Sequence, residues 1–546
     1  MGVGVGVGVG VGGGGGGGDV GSGIGEWGNS ERERSLRRVW VVRSAHSERF
    51  RSLNSGPSEV VLSTVPGGRV NAEMSPELSS SRPSPDSPRH PGLVLAVIVG
   101  CQLMVGVDTS VVTIALPDIR GALDLSTGGL AWVQNAYTLA FGGLLLLGGR
   151  SGDIIGRRRA FTGGIVLFTL ASLLGGVASG GEVLICARAA QGVGAALAAP
   201  SAMALIATLF TGVARVRALG VSSAVTGVGG ALGMLLGGLL TDLSSWRLVF
   251  FINIPIGVLI AVAAPRVLAE TTRRQVGIDF AGAVTGTFGL TALVYGLIRT
   301  GSDGWHDALA LGALGASAVL FVAFVLVEAR VPHPLVPLRL LTDRRRAGAF
   351  VGLAVMVAGM FGGFFFLTQY FQQNLGYGPL KAGAAFLPIV GTQFVVLRFA
   401  PGLLGRFGAR ALVTTGALLV ATAMLWLTTL DAHQSYATGL LGPFLLYGAG
   451  GGLTVMPLMA TILSSVTPED SGAAAGVAQT VLWSGASLGV SIMVTVFGAV
   501  AGHSAGPASA DALSSTFVTG AAFALVASLI AFSTLRPARP SDQPDT

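Results

Sequence analysis

From about residue 92 to residue 535 the chain is a succession of long apolar runs separated by short polar connectors. A helix needs about 20 predominantly apolar residues to cross roughly 30 Å of hydrocarbon. Fourteen runs reach that length, with ends good to a few residues: 93–114, 131–149, 160–179, 183–208, 217–240, 248–265, 280–299, 308–328, 347–371, 382–400, 411–430, 437–461, 473–499 and 515–535. The seventh has polar flanks, yet Ala281 to Leu297 is long and apolar enough to count. The pattern predicts an all-α polytopic membrane protein. Glycine recurs inside the spans, as in Gly227-Val228-Gly229-Gly230 and Gly448-Ala449-Gly450-Gly451-Gly452. In a bilayer such residues let helix backbones approach closely, and they also permit bending.

The connectors give the orientation. With the N-terminus inside, the inner connectors hold Arg150, Arg157 to Arg159, Arg215, Arg217, Arg266, Arg273, Arg274, Arg330, Arg339, Arg344 to Arg346, Arg406 and Arg410, and the tail adds Arg536 and Arg539. The outer connectors hold only Arg120, Arg247 and Lys381, with Arg299 at a span edge. Basic residues stay on the cytoplasmic side, so both termini are expected there and the membrane is expected to be the plasma membrane. The connector between spans 12 and 13 carries Glu469 and Asp470 and no arginine; acidic residues weigh little in this rule.

Residues 1–91 follow a different pattern. Gly-Val alternation passes into a glycine run, then into mixed charge, then into a Ser/Pro stretch. Glycine repeats cannot repay their ordering entropy, so this region is expected to be disordered. No basic segment leads directly into an apolar core with a cleavage site, so it does not read as a signal peptide. A start assigned too early is a plain explanation, with Met74 the candidate true start.

Composition narrows the class further. Of 546 residues, 51% are hydrophobic and only 11% charged, against about 25% charged in soluble domains. The net charge of +7 does not indicate nucleic acid, because the arginines sit in short connectors and form no single stripe. The two cysteines, Cys101 and Cys186, fall within spans without metal-ligand spacing and read as small packing residues. The sequence holds no phosphate loop, no helical His-Glu-x-x-His and no nucleophile elbow. No enzyme activity, cofactor or metal is expected. A lipid bilayer is the expected surrounding, and a monomer is the expected state.

Three stretches carry candidate chemistry. Asp108, in Val107-Asp108-Thr109-Ser110-Val111-Val112-Thr113-Ile114-Ala115-Leu116-Pro117, is the only acid placed well inside a span. A carboxylate there costs about 2.5–3.5 kcal/mol on insertion scales, so it should face a cavity, unless it caps a kinked helix end. Arg188, in Arg188-Ala189-Ala190-Gln191-Gly192-Val193-Gly194 of span 4, lies at a similar depth. The two are therefore candidates for a pair in which Arg188 tunes a proton-coupling Asp108; the bland alternative is packing of Arg188 and Gln191 against backbone carbonyls. Third, Gly149-Arg150-Ser151-Gly152-Asp153-Ile154-Ile155-Gly156-Arg157-Arg158-Arg159 joins spans 2 and 3. Its Asp153 can accept from arginine and from helix N-termini, and its glycines permit a tight turn.

These stretches together resemble the major facilitator superfamily, and within it the fourteen-span drug:proton antiporters. Gly149, Asp153, Gly156, Arg157 and Arg158 are similar to the family's cytoplasmic loop signature. The Asp108 and Arg188 stretches resemble its span 1 and span 4 signatures. Gly229, Gly233, Gly237 and Gly238 in span 5 resemble the antiporter glycine helix, although Met234 stands where the family has proline. Ser245 to Gly257 resembles the start of span 6, and further similar pieces run in order to about residue 535. Gly405-Arg406-Phe407-Gly408-Ala409-Arg410 looks like a worn second copy of the loop, with glycine at the acidic position. In span 13, Gln479, Leu482 and Trp483 depart from the family pattern.

The resemblance implies two six-span pseudo-repeats, 92–266 and 347–535, with two inserted spans over 267–346 and a cytoplasmic tail over 536–546. It implies export of small amphipathic compounds, such as drugs or antibiotics, in exchange for protons by alternating access, with the Gly149–Arg158 loop latching the two halves. An exporter or symporter of one endogenous metabolite remains the alternative. Gln134, Tyr137, Gln191, Phe365 and Tyr370 are the substrate-cavity candidates. Phe361, Phe364 and Phe366 join the last two as an apolar lining for flat aromatic cations, or else pack between helices and against lipid.

Overall fold

The computed structural model describes residues 40–41, 61–64, 70–71, 90–271, 277, 279–429, 436–467, 470–501 and 510–535. Most of the N-terminal region expected to be disordered lies outside them. So do Arg273, Arg274 and Glu469 of the connectors and the tail with Arg536 and Arg539. The described part of residues 1–84 forms three short strands, β1 (Trp40–Val41), β2 (Val61–Thr64) and β3 (Val70–Asn71), paired antiparallel in the order β1-β2-β3. That pairing is more regular structure than glycine content alone predicts.

The remainder is helical. Helices α1 (Pro91–Leu123), α2 (Thr127–Ile155), α3 (Arg157–Gly176), α4 (Gly181–Leu209), α5 (Gly212–Leu243), α6 (Leu248–Phe251) and α7 (Asn253–Val267) form a first set. Then come α8 (Phe280–Asp303) and α9 (Ala308–Arg330). The last set is α10 (Arg344–Gln369), α11 (Pro379–Ala385), α12 (Leu387–Leu427), α13 (Leu441–Ser464), α14 (Ser471–Ala501) and α15 (Ala510–Thr534). Local sequence fixes the starts. Pro91 opens α1 where its missing N–H costs nothing. Ser126, Asp279, Asp307 and Asp343 each accept a backbone N–H as N-caps of α2, α8, α9 and α10. Arg299 also bonds Asp307 (Nε to Oδ2, 2.8 Å) and holds that carboxyl below the usual carboxylate range.

Among the described residues, thirteen helices are long and apolar enough to cross a membrane. One of them, Pro379–Leu427, runs 49 residues, more than twice the roughly 20 that one crossing requires. Its backbone leaves the helical region at Gly408, with φ 75° and ψ 165°. That break falls in the stretch expected as the worn copy of the loop, between spans 10 and 11.

In the first set α1 packs on α5, α2 on α4, and α3 on α4 and α7. In the last set α10 packs on α14 and α15, and α12 on α13 and α15. Helices α8 and α9 pack on each other, and α8 lies against α2 and α14. The two sets meet along α2 and α14 and where α5 meets α11. Cys101 is buried as expected, whereas Cys186 is exposed on the outer face of α4. An exposed thiol in a span faces lipid, where a small apolar side chain is equally at home.

Candidate functional site

The site begins with a charge pair inside the first helix set. Asp108 on α1 and Arg188 on α4 are both fully buried and joined by a 2.6 Å bond from Arg188 Nη1 to Asp108 Oδ2. Asp108 Oδ1 accepts from Gln191 Nε2 at 3.1 Å and from Asn253 Nδ2 on α7 at 2.8 Å. Arg188 also donates to Gln191 Oε1 (2.9 Å) and to the Val133 carbonyl of α2 (3.3 Å). Its guanidinium lies 4.4 Å from the centre of the Tyr137 ring. Gln191 donates in turn to Ser172 on α3 at 2.7 Å. Four helices and the start of a fifth therefore converge on one carboxylate. Two charges in a dry interior survive only with their bonds made, and here Asp108 has three donors.

This arrangement corrects one expectation. Asp108 does not face a cavity: it is turned into the first set, where Arg188 and two amides replace water. What faces the cavity is the adjoining face of α1, beginning at Thr109. A cavity of about 110 Å³ is lined on one side by Thr109, Ser110, Thr113 and Ile114 of α1, Gln134 of α2 and Met234 of α5. Its other side is Phe361, Phe364, Phe365 and Thr368 of α10 and Phe386 between α11 and α12. Of the expected substrate contacts, Gln134 and Phe365 line it. Tyr137 and Gln191 belong to the polar cluster instead. Tyr370 packs against Phe371 (ring centres 6.2 Å apart), and Phe366 packs against Phe497 (5.2 Å). The helical period turns both out of the cavity.

The span 5 glycines lie at helix contacts. α5 is one continuous helix, and its glycines mediate contact. A Cβ at Gly233 would lie 2.6 Å from the Val107 carbonyl, and one at Gly237 would lie 2.7 Å from the Val111 carbonyl. Gly229 faces the Leu103 carbonyl at 3.2 Å. Residues four apart share a helix face, so Gly229, Gly233 and Gly237 seat α5 on α1 at the level of Asp108. Gly238 faces the other way: its Cβ would lie 2.6 Å from the Pro379 carbonyl of α11. Met234, at the family's proline position, lines the cavity without breaking the helix.

The Gly149–Arg158 stretch, expected as a loop, is helical except at Gly156, where α2 turns into α3. Gly156 has φ 103°, a conformation that glycine adopts at little cost. Gly149 approaches Pro200 of α4. Asp153 accepts from Arg157 Nε (3.1 Å) and Nη2 (3.0 Å), and Arg157 also reaches the Ala204 carbonyl. Arg158 and Arg159 meet Glu270 at 3.5 and 3.7 Å, and Glu270 Oε1 accepts the Arg158 backbone N–H at 3.2 Å. The pairing of Asp153 thus stays within its own loop, and among the described residues no ion pair carries it to the last helix set. Arg150 alone reaches further, to the carbonyls of His333 and Pro334 beyond α9.

Several participants lay outside the sequence candidates. Asn253 and Ser172 complete the Asp108 cluster, and Glu270 organises the loop. Asn135 of α2 donates to Ser491 (2.9 Å) and accepts from Ser487 (3.0 Å), tying α2 to α14. Trp483 of α14 stands edge-on to Tyr137 (6.4 Å) and to Phe361 (5.9 Å) and lies 5.0 Å from Phe141. The signal for all of them except Glu270, which lies in a connector, was a polar or aromatic residue interrupting an apolar run.

Comparison with known proteins follows the same lines. The Major Facilitator Superfamily profile matches residues 98–490. A cephamycin export protein of Amycolatopsis lactamdurans is 41% identical over 455 residues, covering 82% of this chain and 92% of that protein. A puromycin resistance protein of Streptomyces alboniger is 44% identical over 431 residues, covering 77% and 84%. Among solved structures, a POT family transporter superposes with TM-score 0.60 at 14% identity, covering 82% of this chain and 97% of that one. At that identity the likeness speaks for the fold.

Proposed function

The chain belongs to the Major Facilitator Superfamily, and from that premise we propose that it exports small amphipathic compounds, drugs or antibiotics among them, in exchange for protons. Relatives that export cephamycin or confer puromycin resistance support the direction of transport. The observation that carries the coupling is the buried Asp108–Arg188 pair, whose aspartate adjoins the cavity-lining Thr109. A proton on Asp108 removes the charge that holds Arg188. The guanidinium, still buried, must then find other partners. It already stacks on Tyr137, which touches Trp483, which touches Phe361 at the cavity. Proton occupancy and cavity shape are thereby linked across the two helix sets.

The topology belongs to the same proposal. The protein makes fourteen crossings of the plasma membrane, the 49-residue element turning at Gly408. Both termini are cytoplasmic, by the distribution of arginine. Two six-helix bundles, 92–266 and 347–535, rock about the cavity, and α8, backed by α9, braces the α2–α14 seam. In this orientation the α5–α11 contact closes the outer side and the Gly149–Arg158 loop lies at the inner side.

Purified protein in liposomes with an imposed pH gradient tests the reading, with puromycin and a cephamycin as first compounds. Gradient-dependent movement that Asp108→Asn abolishes is expected. Movement that ignores the gradient, or an Asp108→Asn variant that transports normally, would overturn it. If one compound moves and a structurally diverse panel does not, the narrower exporter replaces the multidrug one.

A further inference from the structure

Resting on that export reading, the cavity carries a statement about which compounds enter it. Its eleven described lining residues are all uncharged. The hydroxyls on its polar wall have their donors engaged: Thr109 donates to the Val105 carbonyl (3.0 Å), Ser110 to Gly106 (3.4 Å) and Thr113 to Thr109 (2.9 Å). Thr368 does the same to Phe364 (2.9 Å). These groups turn lone pairs toward the cavity. Gln134, only 4% exposed, adds a side-chain amide to this wall, and its buried Oε1 has no partner among the described residues. Opposite them stand the phenylalanine faces. The nearest charges, Asp108 and Arg188, neutralise each other behind α1.

We infer that the cavity selects uncharged ring compounds that carry an N–H or O–H donor, and that it disfavours permanent cations. A ring plane fills the apolar side, and the donor reaches Gln134 and the threonine lone pairs. A quaternary cation loses its water, meets no counter-charge and has no proton to donate. The sequence alone pointed to flat cations, because phenylalanines show the apolar wall but not how the hydroxyls opposite are committed.

The test uses the full chain in nanodiscs and three ring probes of one size: a phenol, its methyl ether and a quaternary ammonium analogue. Equilibrium dialysis should show the phenol bound about tenfold more tightly than the ether, the worth of one hydrogen bond, with the quaternary ion weakest. Gln134→Leu should narrow the phenol–ether difference severalfold, weakening the phenol more than the ether. Gln134→Glu, which supplies a counter-charge, should reverse the ranking in favour of the cation. Wild-type protein that binds the quaternary ion as tightly as the phenol, or a Gln134→Leu variant that weakens both neutral probes equally, would overturn the inference. Gradient-driven transport by the same preparations separates the two claims. The expected ranking without transport removes the export reading and keeps the selectivity. Transport with a cation preference does the reverse.

Discussion

Asp108 is held by three donors from two helices, and each can be removed separately. Asp108→Asn strands a buried guanidinium, and breaking one side of a buried pair costs on the order of 3–5 kcal/mol. Its thermal midpoint should fall further than that of the double variant Asp108→Leu/Arg188→Met, in which no charge is left unpaired; equal losses in calorimetry would mean the pair is not electrostatically coupled. Arg188→Lys should be inactive although charge is kept. A lysine cannot bond Asp108, Gln191 and the Val133 carbonyl in one planar arrangement. The carboxylate and guanidinium were legible because an ionisable residue in an apolar run stands out. Asn253 and Ser172 were not, since neutral polar residues are common in spans and only the α7 and α3 geometry brings them to the pair. The direction in which Asp108 points was equally hidden: a one-residue rotation on α1 separates the cluster from the cavity.

Between elements, the spacing of small residues decides how closely helices approach. Gly233→Ala places a Cβ 2.6 Å from the Val107 carbonyl, whereas at Gly230 the nearest atom is Ser110 Oγ at 3.7 Å. Gly233→Ala should destabilise by about 1–3 kcal/mol, the usual cost of overpacking, and displace α5 from Asp108's helix. Gly230→Ala should be near neutral. Matching losses in thermal unfolding would show that glycine serves α5 by flexibility and not by contact. The sequence displayed this stripe but could not say which face each glycine occupies, and for that reason Gly238 was grouped with residues whose neighbour it does not share. The loop between α2 and α3 follows the same logic. Glu270 accepts a backbone N–H at the start of α3 and meets two arginines, while Asp153 bonds only within the loop. Glu270→Ala should cost about 1 kcal/mol, as for a lost cap, and hydrogen exchange in the first turn of α3 should rise more than in Asp153→Ala. Glu270 escaped notice because it belongs to a connector 112 residues away from its partner.

At the scale of the molecule, the succession of long apolar helices was readable because hydrocarbon thickness sets a length that apolar runs must meet. The contacts between the two helix sets were not, because they depend on close approaches such as Gly238 on Pro379 and on hydrogen bonds such as Gln372 Nε2 to the Ile114 carbonyl at 2.8 Å. Under the proposed topology those contacts lie on the outer side, and alternating access requires them to part. A Cβ on Gly378 would lie 3.3 Å from Asp242 Oδ1 and 4.0 Å from its Cγ, so the pair Asp242→Cys/Gly378→Cys, made in protein lacking Cys101 and Cys186, is suited to a crosslinking trial by disulfide or a short thiol reagent. Oxidation should lock α5 to the segment preceding α11 and arrest export, while substrate still binds from the open end. Reduction should restore transport. An oxidised, fully crosslinked protein that exports at the normal rate would mean that this end never opens, and the pathway would then have to run elsewhere than between α5 and α11.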